Sequence, residues 1–304
     1  MDRRLVLKSV IGGLAALCAP RFARGAQSPA GRRLTDTLTL LDGGGSNVVA
    51  LSTGDGLLLV DTGSPAGRPQ LTAQLNAISS SARVQTVFNT HYHVDQTGSN
   101  EVFSASGAKI IAHVNTKLWM STDYFVPAEE RYQKARPAAA RPTETFYTTG
   151  SLKAGSEQID YGYLIEAHTN GDIYVFFRNV NVVAVGDVAS PERDPALDYF
   201  TGAWIGGRVN AIDLLLKLSN NETRFVPSYG PVMTRAEFQA ERDMMNVLLD
   251  RLFERVREGD SAKDMLDRGL MDGLPRKWKD PAKFLYDAHK GLWAHHNKIN
   301  PNVV

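Results

Sequence analysis

Short apolar runs separated by Gly-containing turns make up most of the first two thirds of the chain. Their length, their β-branched content and their glycine boundaries predict strands. The predicted strands are Leu38–Leu41, Val48–Leu51, Leu57–Val60, Val84–Phe88, Lys109–Ala112, Tyr163–Ile165, Ile173–Phe177, Val182–Val185 and Arg224–Val226. They form two groups along the chain, and each group runs from strands into helices.

Helical periodicity lies between these strands and dominates the C-terminal third. Predicted helices cover Gln70–Ile78, Asp95–Phe103, Asn115–Met120 and Val209–Leu218. From Phe238 to Val256 apolar residues recur at three- and four-residue steps, which indicates a long amphipathic helix, and a final helix begins near Pro281. Two halves of this kind predict paired sheets with helices on their outer faces.

Two segments do not fit this alternation. Residues 123–145 form a long connection rich in Pro, Ala and Arg, which is typical of a lid or an insertion near a functional site. Residues 236–304 are predicted to form a helical extension that packs on a main domain covering residues 27–235.

The N-terminus has the pattern of an export signal. Arg3-Arg4-Leu5-Val6-Leu7-Lys8 is typical of the twin-arginine type, and it is followed by the apolar stretch Val10–Ala19 and a small-residue cleavage site near Ala23–Ala26. The apolar stretch is too short for a membrane span, which needs about 20 residues. We therefore expect cleavage after residue 26, a periplasmic protein, and no membrane contact beyond export.

Composition excludes several classes of function. The 304-residue chain carries a net charge of +1, but the first 26 residues hold five basic residues and one acidic residue, so the remainder has a net charge of −3. Such a balance gives no basic face for a nucleic acid, and we expect a small-molecule substrate instead. The single cysteine, Cys18, lies in the signal, so the exported protein has no disulfide and no thiolate ligand.

Metal-binding side chains are concentrated in Thr90–Gly98, directly after a predicted strand. His91 and His93 stand two residues apart, so in an extended chain they point to the same side, and Asp95 follows. His168 lies between the apolar runs Tyr163–Ile165 and Ile173–Phe177, and Asp187 comes just after the run Val182–Val185. Three imidazoles with an open fourth position are the ligand set of a catalytic zinc ion.

Five segments resemble, in order and approximate spacing, the metallo-β-lactamase-fold superfamily. They are Val60–Gly63, Thr90–Gly98, Ala167–Asp172, Gly186-Asp187 and Pro227–Pro231. The resemblance covers roughly residues 37–235. It implies an α+β chain folded as an αββα sandwich, here with an extra C-terminal helical region, a metal site at one edge of the sheets, and hydrolysis as the commonest chemistry.

The resemblance also implies a role for each residue of the site. The family's first metal site corresponds to His91, His93 and His168, and its bridging aspartate corresponds to Asp187. In the second site Asp95 is kept, but Gln96 and Tyr229 stand where the family has histidines. Both replacements weaken the binding of the same, second ion, because an amide oxygen and a neutral phenol are poor zinc ligands. We therefore expect one zinc ion per chain.

Without a second ion, other roles open for the residues around it. Asp95 becomes a candidate to orient water or act as general base. Tyr229 would donate to a developing oxyanion or simply fill the vacated space. Asp61 would support a ligand histidine by a hydrogen bond or cap a turn.

Several aromatic residues and histidines outside these motifs have weaker predictions. Tyr199, Phe200 and Trp204 would line a substrate pocket or pack in the core. His113 is predicted to be structural, and His295-His296 to lie at a solvated helix end.

Three functions remain open at the level of sequence. The first is an exported mononuclear zinc hydrolase using metal-bound hydroxide on an ester, lactone, lactam or thioester. The second is a mono-iron oxygenase of the persulfide-dioxygenase type, with His91, His168 and Asp187 as the two-histidine, one-carboxylate ligand set. The third is a binding protein whose site has degenerated, as Gln96 and Tyr229 would suggest. No motif identifies the substrate or an oligomeric state.

Overall fold

The computed structural model describes residues 31–79, 83–126 and 130–297. The predicted export signal in residues 1–26 lies outside the described residues. In chain order the strands are β1 (Arg32–Arg33), β2 (Leu38–Asp42), β3 (Asn47–Ser52), β4 (Leu57–Val60), β5 (Val84–Phe88), β6 (Lys109–His113), β7 (Tyr124–Val126), β8 (Arg131–Gln133), β9 (Glu144–Phe146), β10 (Thr149–Ala154), β11 (Glu157–Tyr163), β12 (Ile173–Phe177), β13 (Val182–Gly186) and β14 (Arg224–Pro227). The helices are α1 (Arg68–Ile78), α2 (Val94–Thr97), α3 (Asn100–Ala105), α4 (Val114–Ser121), α5 (Ile205–Leu218), α6 (Arg235–Arg257), α7 (Ala262–Asp267) and α8 (Pro281–Asn297).

Two large sheets hold most of the described strands. The first has the order β1-β2-β3-β4-β5-β6-β9, antiparallel as far as β4 and parallel from β4 to β9. The second has the order β10-β11-β12-β13-β14, and its last pair, β13 and β14, is parallel. As a result, β4, β5, β13 and β14 each end where loops can carry functional side chains on a rigid support.

The sheets pack face to face, and helices cover both outer faces. Alternate residues of β4 show this arrangement, since Leu58 and Val60 face the second sheet whereas Leu57 and Leu59 face α1 and α3. On the other side, β12 and β13 are buried along their whole length between the first sheet and the pair α5 and α6. A strand that is covered on both faces needs apolar residues at every position. This explains why the sequences of β12 and β13 are continuous hydrophobic runs. The predicted α+β, αββα sandwich is confirmed.

The C-terminal helices form a further apolar cluster against the sandwich. Met245, Leu248 and Leu252 of α6 pack with Leu285 and Leu292 of α8. The same cluster includes Leu197, Ile205 and Val209 from the segment that follows β13, so the helices of residues 236–297 adjoin the loop after Asp187. Among the described residues no helix is long and apolar enough to cross a membrane.

The main differences from the predicted elements have local causes. The predicted helix Asp95–Phe103 is divided into α2 and α3 at Gly98, whose amide donates to the Gly63 carbonyl at 2.8 Å outside the helix. Within the connection 123–145, β7 and β8 form an antiparallel hairpin and β9 joins the first sheet, strands that the sequence did not predict. The sequence did not predict β10, because its residues alternate only between exposed and half-buried and so give a weak hydrophobic pattern.

Candidate metal centre

The predicted ligands meet at one edge of the two sheets. His91 and His93 follow the end of β5, His168 lies in the loop between β11 and β12, and Asp187 directly follows β13. The expectation of an extended chain through His93 is wrong, because β5 ends at Phe88 and residues 90–92 form bends. The rings of His91 and His93 nevertheless lie 4.8 Å apart, since the bends keep both on the same side of the loop.

His91 is fully buried and presents one ring nitrogen to the centre of the site. Its Nδ1 lies 3.1 Å from Thr90 Oγ1, and that hydroxyl donates to Asp61 Oδ2 at 2.7 Å. Thr90 Oγ1 therefore accepts from the Nδ1–H group of His91, which leaves Nε2 with a lone pair. Nε2 is buried and has no hydrogen-bond partner among the residues that the structure describes. Burial, together with the neighbouring His168 and His93, holds the pKa of His91 well below its usual value, so the ring is neutral, as a metal ligand must be.

In His93 the roles of the two ring nitrogens are reversed, so that Nε2 contacts a protein group and Nδ1 faces the site. Its Nε2 lies 3.2 Å from Asp198 Oδ2, which also accepts a 2.5 Å hydrogen bond from the Tyr92 hydroxyl. Burial lowers the pKa of His93, but the Asp198 hydrogen bond and the charges of Asp198, Asp95 and Asp187 together outweigh burial, so the pKa is raised. Burial likewise opposes the ionised form of Asp198, whose pKa is nevertheless lowered by the His93 and Tyr92 contacts. Nδ1 of His93 is thus the nitrogen that faces the site.

His168 is held by the backbone around it. Its Nδ1 donates to the carbonyl of Ala196 at 2.9 Å, so Nε2 carries the free lone pair. The main-chain amide of His168 donates to Asp172 Oδ2 at 2.6 Å, which fixes the loop that carries the ring. The result is a third imidazole with its outer nitrogen occupied and its inner nitrogen exposed to the other two.

These contacts make the three inner nitrogens a good fit for one cation. One ligand atom from each histidine lies within 4.8 Å of the other two, and His168 Nε2 is 3.1 Å from His93 Nδ1. A tetrahedral zinc ion with Zn–N distances of about 2.0–2.1 Å separates its nitrogens by about 3.3 Å. Two lone pairs in such contact repel each other unless a cation or a proton lies between them. The unpartnered His91 Nε2 supplies the third arm of the same site.

Asp187 lies beside this cluster. Its Oδ2 is 3.4 Å from His168 Nε2 and 4.0 Å from His91 Nε2. The preceding Gly186 has a φ of +59°, and a Cβ there would lie 3.0 Å from the Thr90 side chain. Glycine is therefore required for the turn that brings Asp187 towards the histidines.

A buried arginine links Asp187 to the C-terminal helices. Arg208 of α5 is fully buried, and it donates to the Asp187 carbonyl at 2.7 Å and to Ser190 Oγ at 2.9 Å. It also lies 3.4 Å from Glu241 of α6, which pairs in turn with Arg276 at 2.5 Å. This network fixes the backbone of the loop that carries the carboxylate.

The residues predicted to have lost a second ion form a different arrangement. The Tyr229 hydroxyl donates to Asp95 Oδ2, and the Arg193 guanidinium lies over the Tyr229 ring at 3.2 Å from its centroid. Burial and the nearby Asp95 raise the pKa of Tyr229 far above its usual value, so the phenol remains protonated. The Gln96 side chain is fully buried, and in the described part of the chain neither its Nε2 nor its Oε1 has a hydrogen-bond partner.

A cavity of about 270 Å³ opens beside His93 and His168. Aromatic side chains line much of it: Tyr92, Trp119, Tyr124, Tyr199 and Phe200. Of the two locations predicted for Tyr199 and Phe200, a pocket wall or the core, the structure shows the pocket wall. Trp204 is elsewhere, stacked on His295 at 3.8 Å between ring centroids.

The remaining predicted residues have local partners. Asp61 does not bond a ligand histidine directly, since Thr90 stands between it and His91. His113 stacks on Tyr163 at 3.9 Å and caps α4 through Nδ1. His295 lies 3.2 Å from Glu166 Oε2.

Sequence reasoning missed Asp198 and Arg208. Asp198 directly precedes Tyr199 and Phe200, which the sequence did single out, so a carboxylate beside candidate pocket aromatics was the available signal. Arg208 carries no such signal, because it lies inside an otherwise apolar helix and only the fold shows what it contacts.

The fold and the histidine cluster define an αββα protein with a candidate metal site at the edge of its sheets. Comparison with known families agrees, since the family description Metallo-beta-lactamase superfamily matches residues 41–243, more than half of the chain. The chain belongs to the metallo-β-lactamase superfamily, as its motifs predicted, and the general class of metal-dependent hydrolase agrees with this membership.

Individual relatives are distant. The chain is 25% identical over 187 residues to a Metallo-beta-lactamase type 2 of Bacillus sp. (strain 170), which covers 62% of this chain and 67% of the relative. It is 24% identical over 186 residues to Metallo-beta-lactamase IND-1 of Chryseobacterium indologenes, covering 60% and 71%. Among solved structures, the metallo-beta-lactamase from Pontibacter korlensis superimposes with a TM-score of 0.57 at 18% identity, covering 70% of this chain and 97% of that one. Identity at that level shows the fold alone.

Replacement of Asp198 tests whether it positions His93. The Asp198→Asn variant no longer offers a carboxylate to the Nε2–H group of His93, so we expect zinc affinity to fall about 10- to 100-fold. Competition with a zinc-binding dye measures it. The matched control is Asp213→Asn, which removes a half-buried carboxylate paired with Arg242 outside the site. Equal zinc affinity in both variants would contradict a positioning role.

Proposed function

We propose that the chain is a metal-dependent hydrolase that holds one zinc ion through His91, His93 and His168. One observation carries the proposal, namely the three imidazoles whose outer nitrogens are occupied by protein groups and whose inner nitrogens face each other. Ring nitrogens that face each other at 3.1 Å repel through their lone pairs unless a cation or a proton lies between them, and one zinc ion would supply that cation. Asp187, with Oδ2 3.4 Å from His168 Nε2, supplies a nearby negative charge.

The proposed chemistry divides between the ion and the chain's own carboxylates. Zinc in such a site acts as a Lewis acid towards a carbonyl oxygen and acidifies water. Asp187 then serves to hydrogen-bond and orient the attacking water at the edge of the cluster. Asp95 has one oxygen occupied by Tyr229, and its other oxygen can accept a proton from water or pass it to the leaving group.

Tyr229 is assigned to Asp95 rather than to an oxyanion. Its hydroxyl already donates to Asp95, and its raised pKa keeps that proton in place at neutral pH. We propose that this bond fixes the orientation of Asp95, a task that a second metal ion would otherwise perform. The substrate is proposed to be a small carbonyl compound such as an ester, lactone, lactam or thioester.

The geometry favours the zinc hydrolase over the mono-iron alternative. A two-histidine, one-carboxylate iron site would use His91, His168 and Asp187 and leave His93 outside. Nδ1 of His93, however, lies 3.1 Å from His168 Nε2, and its Nε2 is occupied by Asp198. That pairing is the one in which a carboxylate orients a metal-ligating histidine.

Export to the periplasm is also proposed, on the residues of the N-terminal segment alone. A protein carried by the twin-arginine route folds before transport, so it can acquire its metal ion in the cytoplasm. The absence of cysteine from the exported part is compatible with either compartment.

Removing one central histidine tests the metal site. In His91→Ala we expect the bound metal, measured by elemental analysis of the purified protein, to fall from about one ion per chain to below a tenth, because a two-histidine remnant leaves the site open. His296→Ala is the control, since His296 lies exposed near the end of α8. Iron in the wild-type protein, in place of zinc, would favour the oxygenase, and no metal at all would favour the degenerate binding protein.

Restoring the family's second site tests the single-ion proposal. The double variant Gln96→His with Tyr229→His supplies the two imidazoles that the resemblance assigns to a second ion, with Asp95 as the third ligand. We expect zinc content to rise from one to two ions per chain. Tyr229→Phe is the control, because it removes the hydroxyl without adding a ligand. Two ions in the wild-type protein would refute the proposal.

Replacing the two arginines of the signal tests export. With Arg3→Lys and Arg4→Lys together, we expect the full-length precursor to accumulate in the cytoplasm of a bacterial host, because the twin-arginine pair is removed while the charge is kept. Fractionation followed by immunoblotting measures the distribution. Arg32→Lys with Arg33→Lys is the matched control outside the signal. Unchanged periplasmic location of the first variant would contradict the twin-arginine assignment.

A further inference from the structure

The cavity beside the histidines has a continuous aromatic wall. The Tyr92 ring lies 4.4 Å from that of His93 and is stacked at 5.8 Å with Trp119. Trp119 contacts Tyr124 at 5.1 Å and Phe200 at 5.3 Å between ring centroids. Such a wall binds a flat or ring-shaped apolar group within reach of the metal ligands.

The same cavity contains a cation that lacks an acidic partner. Arg136 lines the cavity and is half-buried. Its backbone is fixed, since its amide donates to the Met120 carbonyl at 2.8 Å and its carbonyl accepts from Arg141 Nε at 2.8 Å. The guanidinium makes one long contact, 3.5 Å to Thr97 Oγ1. No carboxylate in the described part of the chain lies within ion-pair distance of it.

The other charged side chains at the cavity have partners, and one of them, Arg131, donates to Gln133 Oε1 at 2.6 Å. Lys283 pairs with Asp287 at 2.5 Å, and Lys134 pairs with Asp123 at 2.7 Å. Asp198 is occupied by Tyr92 and His93. Within the described part of the chain, Arg136 is therefore a lining cation that a ligand's negative charge can reach without displacing a protein carboxylate.

Leaving that guanidinium half-buried without a counter-ion costs free energy. Burial lowers the pKa of Arg136, and Tyr124 and the Glu101 carboxylate, which lies beyond ion-pair distance, offset burial only in part; the arginine remains charged at any ordinary pH. An anion beside it would recover the cost, and the forked guanidinium matches a carboxylate with two parallel hydrogen bonds. The cavity thus combines an apolar surface, an anion-binding group and the metal ligands.

We propose that the substrate of this site carries both an aromatic ring and a carboxylate, with the ring on the Trp119 and Phe200 wall and the carboxylate on Arg136. The inference rests on the proposed hydrolase function, since it assigns the group that reacts to the neighbouring histidine cluster. The cavity volume of about 270 Å³ is near the lower end of ligand pockets, about 300 Å³, so one or two rings are favoured over a polymer.

Binding to the metal-free protein tests the proposal, because a carboxylate cannot then bind through the ion. The probes are phenylacetate, its uncharged analogue phenylacetamide, and acetate, which lacks the ring. Dissociation constants come from ligand-observed NMR titrations of the chelator-treated full-length protein. We expect phenylacetate to bind at least 10-fold more tightly than either of the other two.

Substitutions then separate the two halves of the site. Arg136→Gln is expected to weaken phenylacetate at least 10-fold and to leave phenylacetamide unchanged, whereas Arg136→Lys recovers part of the loss. Phe200→Leu should weaken both aromatic probes. Arg33→Gln is the control for loss of a surface arginine, because Arg33 pairs with Asp36 far along the chain from the cavity residues.

The outcomes are distinguishable from those of the metal experiments. Equal affinity for phenylacetate and phenylacetamide in the wild-type protein would overturn the proposal, as would an equal loss of both in Arg136→Gln. Preferential binding of phenylphosphate over phenylacetate would replace the carboxylate by a phosphate and also overturn it. If the protein holds no metal as purified, before chelation, and still binds phenylacetate selectively, the ligand class is supported and the hydrolase function alone is refuted.

Discussion

The convergence of three imidazoles on one point is the constraint on which the rest of the site depends. His93 Nδ1 and His168 Nε2 lie 3.1 Å apart, and His91 Nε2 is buried without a partner. Each ring holds this orientation because a protein group takes the proton on its outer nitrogen. Those groups are chemically different: a threonine hydroxyl, a carboxylate and a main-chain carbonyl. The protein thus fixes the tautomers before any ion arrives, which reduces the reorganisation that binding requires.

The same reasoning explains the altered second site. A carboxylate such as Asp95 needs a compensating donor or cation when it is partly buried. Here the Tyr229 hydroxyl is the donor, and the Arg193 guanidinium over the Tyr229 ring adds positive charge nearby. Gln96 adds a buried amide with no protein partner. The Asp95 carboxylate is therefore stabilised by protein groups. We expect it to bind a second divalent ion more weakly than a carboxylate without such partners would.

Much of this centre could be predicted from the sequence, because its ligands stand at strand ends that hydrophobic patterning reveals. His91 and His93 are neighbours along the chain, and His168 and Asp187 flank apolar runs. The supporting groups could not be predicted in the same way. Asp198 reaches His93 across 105 positions, and Thr90 separates Asp61 from His91 by a single hydroxyl that no spacing indicates. Long-range contacts of this kind depend on how loops fold over the sheet edge, and local periodicity contains no record of that.

The C-terminal helices show where family membership ceases to determine function. The family match ends at residue 243, yet α8 begins at Pro281 and contributes Lys283 and Asp287 to the cavity. Arg208 connects the Asp187 carbonyl to Glu241 of α6, and Glu241 binds Arg276 between α7 and α8. The candidate metal ligands therefore come from the shared part of the fold, whereas part of the cavity wall comes from α8, outside the match. Because specificity depends on the walls more than on the ion, the names of distant relatives constrain the reaction class more strongly than the substrate.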